Sequence, residues 1–162
     1  MPVSKKQILL SEEEVYTKIS SWCAYQERCH SEVREKLYGF VQENDVIEEI
    51  IFRLISENFL NEERYAKAYA GGKFRIKKWG RIKIRQELKQ KGLTENCIRI
   101  GLDEIDNADY HKTIALLADK KLPELKNEKN RFVLRKKIAD YIIRKGYEPD
   151  LVWEAVNTMV SE

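Results

Sequence analysis

Two helix-ending motifs of the same kind, about 50 residues apart, constrain the fold of this chain more than any other feature of its sequence. Lys91-Gly92-Leu93 and Lys145-Gly146-Tyr147 each follow a helical pattern of apolar residues. A glycine followed by an apolar residue commonly ends a helix, because glycine readily adopts the left-handed conformation. A repeat of this length predicts tandem helical modules, each covering the apolar face of its neighbour.

The first part of the chain shows helical spacing of its apolar residues and a clear start signal. We expect Ser11 to cap a first helix that runs to about Gln26, with Glu14 as its capping-box partner. A second helix follows Ser31, and a third comes next. The apolar stripes of these two helices comprise Val33, Leu37, Phe40, Val41, Val46, Ile47, Ile50, Ile51, Leu54 and Ile55.

The same signals recur after Leu60. Asn61 is placed to cap a helix over residues 62–74, Gly80 to open the next helix, and Thr94 to cap the one after it. The remaining helices are expected over residues 109–121, along the stripe Leu134, Ile138, Tyr141 and Ile142 up to Gly146, and from Pro149 onward.

These elements group into three units of three helices. The sequence therefore predicts an all-α fold, an elongated and curved array of three tandem three-helix repeats at residues 11–59, 60–106 and 107–162. A single globule of nine helices is the structural alternative.

The charge of the chain is distributed unevenly. Residues 73–91, called the basic segment below, hold nine lysines and arginines and one carboxylate, Glu87, although the net charge of the whole chain is only +3. Residues 41–63 are acidic by contrast. Such a segment is typical of a protein that binds a polyanion or an acidic partner. The candidate binding residues are Arg75, Lys77, Lys78, Arg81, Lys83, Arg85, Lys89 and Lys91.

A solvated helix face that keeps the protein soluble is the other interpretation of these charges. Partner contact is favoured because many like charges within a few turns repel one another unless an anion compensates them. Arg81, Arg85 and Lys89 share one helical stripe and are the leading candidates. Trp79 lies in the same segment, where its indole either packs against its own domain or contacts a base or a protein partner.

Several functional classes are not expected from this sequence. Cys23, Cys29 and Cys97 are odd in number and irregularly spaced, which predicts reduced thiols in the cytoplasm and no metal site. No apolar run reaches the roughly 20 residues that a membrane span requires. The chain has two histidines, no glycine-rich phosphate loop and no nucleophile beside a base, so we expect neither an enzyme nor a bound cofactor.

Three stretches carry a specific resemblance. R-I-K-I-R-Q-E-L-K-Q-K-G-L (81–93), preceded by F-L-N-E-E-R-Y-A (59–66), is similar to the signature pair of the bacterial RecX regulatory family, and S-E-V-R-E-K-L (31–37) is similar to its first repeat. Gly39-Phe40 departs from the pattern, since it falls two residues earlier than a simple alignment with Gly92-Leu93 would place it.

The resemblance implies a modulator of the RecA recombinase, made of three-helix repeats, which lies in the helical groove of the RecA–DNA filament. Such a protein bridges neighbouring protomers and suppresses ATP hydrolysis, strand exchange and filament growth, in DNA repair, recombination and the SOS response. The RecA filament is thus the expected partner, and DNA phosphates are a further candidate. We expect the chain itself to be a monomer.

A direct DNA-binding regulator of the helix-turn-helix type is the alternative function. A base-reading helix usually combines arginine with Asn, Gln or Ser in its N-terminal turn. The helix expected over residues 80–91 has Gln86 and Gln90 farther along and consists mostly of lysine and arginine. Sequence-specific recognition is therefore the weaker interpretation.

Overall fold

The computed structural model describes residues 10–161, and within this range every regular element is helical. The α-helices are α1 (Glu12–Tyr25), α2 (His30–Tyr38), α3 (Asn44–Ser56), α4 (Glu62–Gly72), α5 (Arg81–Gln90), α6 (Glu95–Leu102), α7 (Asn107–Lys121), α8 (Arg131–Arg144) and α9 (Pro149–Met159). A π-helical turn follows α4 at Lys73–Lys77, and a 3-10 turn follows α7 at Leu122–Leu125. The prediction of an all-α fold is confirmed.

The chain divides into two compact units, the first ending at Tyr65 and the second beginning at Ala66. The repeat boundaries predicted at 59/60 and 106/107 stay a prediction. No helix in the described range is both long and apolar enough to cross a membrane.

The core of the first unit is built from apolar residues of α1, α2 and α3. Most of the predicted stripe residues are buried in it, including Val33, Leu37, Ile47 and Leu54. The prediction that Phe40 and Ile55 face the core is wrong, since these side chains are 40% and 43% exposed. Helix α2 ends at Tyr38, so Phe40 lies beyond the helix and leaves its face. Ile55 lies in the last turn of α3 and points away from the face that contains Leu54.

The predicted side-chain caps are present. Ser11 Oγ accepts a hydrogen bond from Glu14 N (3.2 Å), Asn61 Oδ1 from Arg64 N (3.0 Å) and Thr94 Oγ1 from Cys97 N (3.2 Å). Each cap satisfies an amide that the first turn of a helix leaves without an intrahelical partner.

Two other helices start earlier than the sequence predicted. Helix α2 begins at His30 rather than after Ser31. Helix α7 begins at Asn107 rather than at residue 109, because Asp106 is its cap and accepts a hydrogen bond from Asp109 N (3.0 Å).

The end of α4 differs from the prediction as well. The α-helix stops at Gly72 instead of continuing to Phe74, and the chain widens into the π-helical turn. Lys78 then adopts the left-handed conformation (φ 57°), and its N–H donates to Lys73 O. This turn buries Phe74 and leads the chain into Trp79 and α5.

Both helix-ending glycines have the predicted conformation, with φ 87° at Gly92 and 100° at Gly146. Leu93 N donates to Leu88 O (3.2 Å), as the predicted closure requires. The apolar residue after each glycine is buried, Leu93 at 5% exposure and Tyr147 at 0%.

Candidate functional site

The first turn of α5 is not capped by its own side chains. Gly80 occupies the cap position and has no side chain to offer. Its first amides instead donate to groups of other elements. Gly80 N donates to Lys145 O (2.8 Å) and Ile82 N to Gly146 O (2.9 Å), both in the α8–α9 turn. Arg81 N donates to the hydroxyl of Tyr110 in α7 (3.0 Å). The N-terminus of α5, which is the positive end of its helix dipole, is therefore covered by protein groups and does not point into solvent.

Two glycines allow this close approach. A Cβ atom on Gly80 would lie 2.3 Å from the carbonyl carbon and oxygen of Gly146. A Cβ atom on Gly146 would lie 2.3 Å from Lys83 Cβ. The hydroxyl of Tyr147 donates to Lys78 O (2.9 Å), just before the contact. The basic segment is thus fixed against the α8–α9 turn by backbone as well as side-chain groups.

Buried tyrosines support this contact. The rings of Tyr110 and Tyr147 lie with centroids 5.0 Å apart, and the Tyr110 hydroxyl donates to Glu148 Oε1 (2.9 Å). Burial raises the pKa of both tyrosines above the ordinary value, and the charge of Glu148 adds to the rise. Both hydroxyls therefore stay protonated at neutral pH and act as donors.

The leading candidates from the sequence do not share one environment. The Arg81 guanidinium lies 4.0 Å from the centroid of the Tyr110 ring, and its Nη2 donates to Asn107 Oδ1 (2.6 Å). Arg85 Nη1 forms an ion pair with Glu95 Oε2 (2.8 Å). Lys89 is exposed at the far end of the same stripe. Two of the three cations therefore have partners on α6 and at the start of α7, although the Arg85–Glu95 pair lies on the surface.

The other predicted cations lie either on the π-helical turn and the residue after it or next to aromatic rings. Arg75 and Lys77 are exposed on the turn. Lys78 follows the turn, and its Nζ donates to Arg75 O (2.9 Å). Lys83 and Lys91 approach aromatic rings, with Lys83 Nζ 4.4 Å from the Trp79 centroid and Lys91 Nζ 5.7 Å from the Tyr69 centroid.

Sequence reasoning missed Lys73 as a candidate. Its Nζ lies 5.0 Å from the Trp79 centroid and 5.4 Å from the Tyr69 centroid, so it joins the two aromatic residues. The four-residue spacing between Tyr69 and Lys73 was the available signal, since residues four apart meet on a helix.

Apolar side chains are exposed among these cations. Ile76 is 79% exposed and Ile82 is 38% exposed. The basic segment therefore presents a surface that is both positively charged and partly apolar, as surfaces that contact protein and phosphate together often are.

Family models match most of the second unit. The model of the second three-helix domain of RecX matches residues 61–102, and the model of the third three-helix domain matches residues 108–156. The chain belongs to the RecX family. The contact between Gly80 and Gly146 thus joins the second and third RecX domains, and α5 is the middle helix of the second domain.

Curated relatives agree with this assignment. The regulatory protein RecX of Clostridium perfringens (strain 13) is 36% identical over 124 residues, which cover 76% of this chain and 58% of the relative. That of Bacillus cytotoxicus is 30% identical over 148 residues, covering 90% of this chain and 54% of the relative. The chain spans a little more than half the length of these relatives.

Solved structures share the fold. The crystal structure of RecX from Lactobacillus salivarius superimposes with a TM-score of 0.82 at 24% identity, covering 91% of this chain and 96% of that one. A second crystal structure of a regulatory protein RecX gives 0.78 at 23% identity, over 92% of this chain and 70% of that one. These likenesses establish the RecX fold for this chain.

Proposed function

We propose that this chain is a non-catalytic regulator that binds the groove of the RecA–DNA filament and inhibits ATP hydrolysis and strand exchange by RecA. Membership of the RecX family supports a regulatory role. The observation that carries the proposal is the basic segment, which lies in the matched second RecX domain and presents exposed cations beside exposed isoleucines.

The surface suits a mixed target. Exposed ammonium and guanidinium groups favour contact with phosphate, and they also steer association with an anionic filament. Ile76, 79% exposed between Arg75 and Lys77, adds an apolar contact that bare phosphate does not require. A groove bounded by protein and by DNA phosphates offers both kinds of surface.

The contacts inside the protein separate positioning from partner-binding residues. Arg81 and Arg85 are engaged by Asn107 and Glu95, and we assign them to holding α5 in place. Arg75, Lys77 and Lys89 are exposed, and we assign them to the filament. The proposed mechanism is steric and electrostatic, the chain acts as a monomer in the cytoplasm, and no covalent step is involved.

The test is inhibition of the ATPase of RecA on single-stranded DNA. The variant Arg75→Glu/Lys77→Glu/Lys89→Glu should raise the concentration for half-inhibition at least about tenfold, a change of about 1.4 kcal/mol in binding. Its circular dichroism should match the wild type, because none of these side chains bonds another element within residues 10–161.

A matched variant controls for net charge. Lys112→Glu/Lys120→Glu/Lys126→Glu makes the same change at exposed positions of α7 and the segment after it, and it should inhibit like the wild type. Equal inhibition by both triple variants would place the filament contact outside the basic segment. No inhibition by the wild-type chain would contradict the proposed function itself.

The alternative, a base-reading regulator, fits the geometry less well. Recognition helices contact bases through their N-terminal residues. In α5 these residues are bonded to the α8–α9 turn and to Tyr110, and a Cβ atom at Gly80 has no room. The backbone of the first turn of α5 is therefore covered by other parts of the protein, which hinders a close approach of this turn to base edges.

A further inference from the structure

The two aromatic residues of the basic segment and of α4 form one cluster with three lysines. The indole of Trp79 is partly exposed and has Lys73 Nζ at 5.0 Å and Lys83 Nζ at 4.4 Å from its centroid. Lys73 also approaches Tyr69, and so does Lys91. Ammonium groups and aromatic faces therefore alternate along this surface.

The backbone on both sides of Trp79 is fixed. Trp79 N donates to Lys73 O (3.2 Å), while the preceding carbonyl, Lys78 O, accepts from the Tyr147 hydroxyl (2.9 Å). The next amide, Gly80 N, donates to Lys145 O (2.8 Å). The indole is thus mounted on a segment that two RecX domains hold together, and little conformational entropy is lost when it binds a ligand.

The flanking ammonium groups are available to an anion. Within the described residues, Lys73 and Lys83 form no ion pair with a carboxylate, whereas Arg85 on the same helix is paired with Glu95. A lysine side chain is long and flexible, so each can move from the indole to a phosphate.

We propose that Trp79 is a stacking platform for a base of single-stranded nucleic acid, with Lys73 and Lys83 contacting the adjacent phosphates. Stacking of bases on aromatic side chains beside a basic groove is the general way in which single strands are bound without sequence preference. Carboxylates of an acidic protein segment would engage the ammonium groups, whereas a nucleotide offers phosphates to the lysines and also a base that stacks on the indole. This activity goes beyond the proposed function, because it requires no RecA.

The first experiment measures binding of a fluorescent oligothymidylate and of an abasic oligomer of the same length, without RecA. Replacing Trp79→Ala should weaken binding of the oligothymidylate about 5- to 100-fold, the loss of one stacked base. Binding of the abasic oligomer should not change. Trp79→Phe keeps an aromatic face and should retain most of the affinity. A matching oligouridylate shows whether the strand is read as DNA or as single-stranded nucleic acid in general.

The second experiment measures how binding depends on salt. The variant Lys73→Gln/Lys83→Gln should reduce the slope of log affinity against log salt by about 1.4, since each phosphate contact on a single strand contributes about 0.7. Lys112→Gln/Lys120→Gln removes the same charge from α7 and should leave the slope unchanged.

Three results would overturn the proposal. The first is that the wild type binds the oligothymidylate no better than the abasic oligomer. The second is that Trp79→Ala binds the oligothymidylate as well as the wild type does. The third is that Lys73→Gln/Lys83→Gln keeps the full salt slope. Should Trp79→Ala fail to fold, Trp79→Leu keeps apolar bulk without an aromatic face and decides in the same way. If a Trp79 variant loses inhibition of the RecA ATPase but keeps its affinity for the bare strand, then the indole contacts protein; the proposal is then wrong while the proposed function stands.

Discussion

The turns at Gly92 and Gly146 have the same local form and different surroundings. Both glycines have positive φ, 87° and 100°, and both precede a buried residue. Among the described residues, nothing lies within 4 Å of a Cβ atom built on Gly92, whereas one built on Gly146 would meet Lys83 Cβ at 2.3 Å. The turn at Gly92 ends α5. The turn at Gly146 ends α8 and also contacts the start of α5. The same motif can therefore serve one role or two, and its neighbours decide which.

The residue after each glycine shows the same difference. The side chain of Leu93 is apolar, whereas the side chain of Tyr147 is fully buried and its hydroxyl also donates to Lys78 O. A leucine completes a turn that ends at its own helix. A tyrosine reaches further and bonds a second segment.

The largest effect is expected from Gly146→Ala. The variant combines the strain of a non-glycine residue at positive φ, about 1–2 kcal/mol, with an overpacked contact against Lys83, about 1–3 kcal/mol. The free energy of unfolding, measured with urea, should fall by about 3 kcal/mol.

Gly80→Ala separates the two causes. Its φ of −81° suits any residue, so only the clash with the Gly146 backbone remains. Gly80→Ala should lower the free energy of unfolding measurably, and by less than Gly146→Ala does. If both variants are as stable as the wild type, the close contact between the two RecX domains does not contribute to stability.

Alkaline pH should also separate the two turns. The pKa of Tyr147 and that of Tyr110 are raised in the folded state, so above about pH 10 the unfolded chain loses these protons first. The stabilisation contributed by these two tyrosines is complete below that pH and is lost as the pH rises toward their folded-state pKa values. Urea midpoints measured between pH 8 and pH 11 should decrease, and they should decrease less in Tyr147→Phe.

One other tyrosine contributes to this alkaline slope. Burial and the hydrogen bond to Glu57 raise the pKa of Tyr16 in the first unit to about 12. Tyr147→Phe should therefore reduce the slope without removing it. An unchanged slope would mean that Tyr147 ionises equally well in the folded and unfolded chains.

Tyr147→Phe at neutral pH should have a smaller effect. The ring stays in place, but Lys78 O loses its donor, and one hydrogen bond contributes about 1 kcal/mol. Because Lys78 lies next to Trp79, the variant should also broaden the NMR signal of the Trp79 indole N–H. A sharp and unshifted indole signal would show that Tyr147 does not fix this part of the basic segment.

Gly92→Ala should have a smaller effect than Gly146→Ala. The site has room for a methyl group, so only the positive φ is unfavourable, at about 1–2 kcal/mol. The test is the difference in unfolding free energy between Gly92→Ala and Gly146→Ala. Equal losses in the two variants would contradict the distinction between an open turn and a closed one.

Much of the fold was predictable because its signals are local. The side chains of Ser11, Asn61 and Thr94 accept hydrogen bonds from amides three residues away, and Gly92 ends α5 within its own turn. The π-helical turn was missed because the apolar spacing up to Phe74 is compatible with a continuous α-helix. The contact at Gly80 was missed because it joins residues that are far apart in the sequence.

The candidate site was predictable as a segment but not as a set of contacts. The charge of residues 73–91 is visible in the sequence, and the assignment of its cations to a partner stays a prediction. Arg85 looks free when α5 is considered alone, yet Glu95 of the next helix pairs with it. Lys73 joins the cluster only once the turn places Trp79 next to it. Such pairings depend on how helices pack, which charge counting does not reveal.

The capping of α5 by distant groups has a consequence for biosynthesis. Tyr147 is made 69 residues after Lys78, so at about 5–20 residues per second the start of α5 waits roughly 3–14 seconds for its partner on the ribosome. During that interval we expect its first amides to bond to water, because their partners in the protein have not yet been made. The segment with the highest positive charge can thus become rigid only after residue 147 has been made.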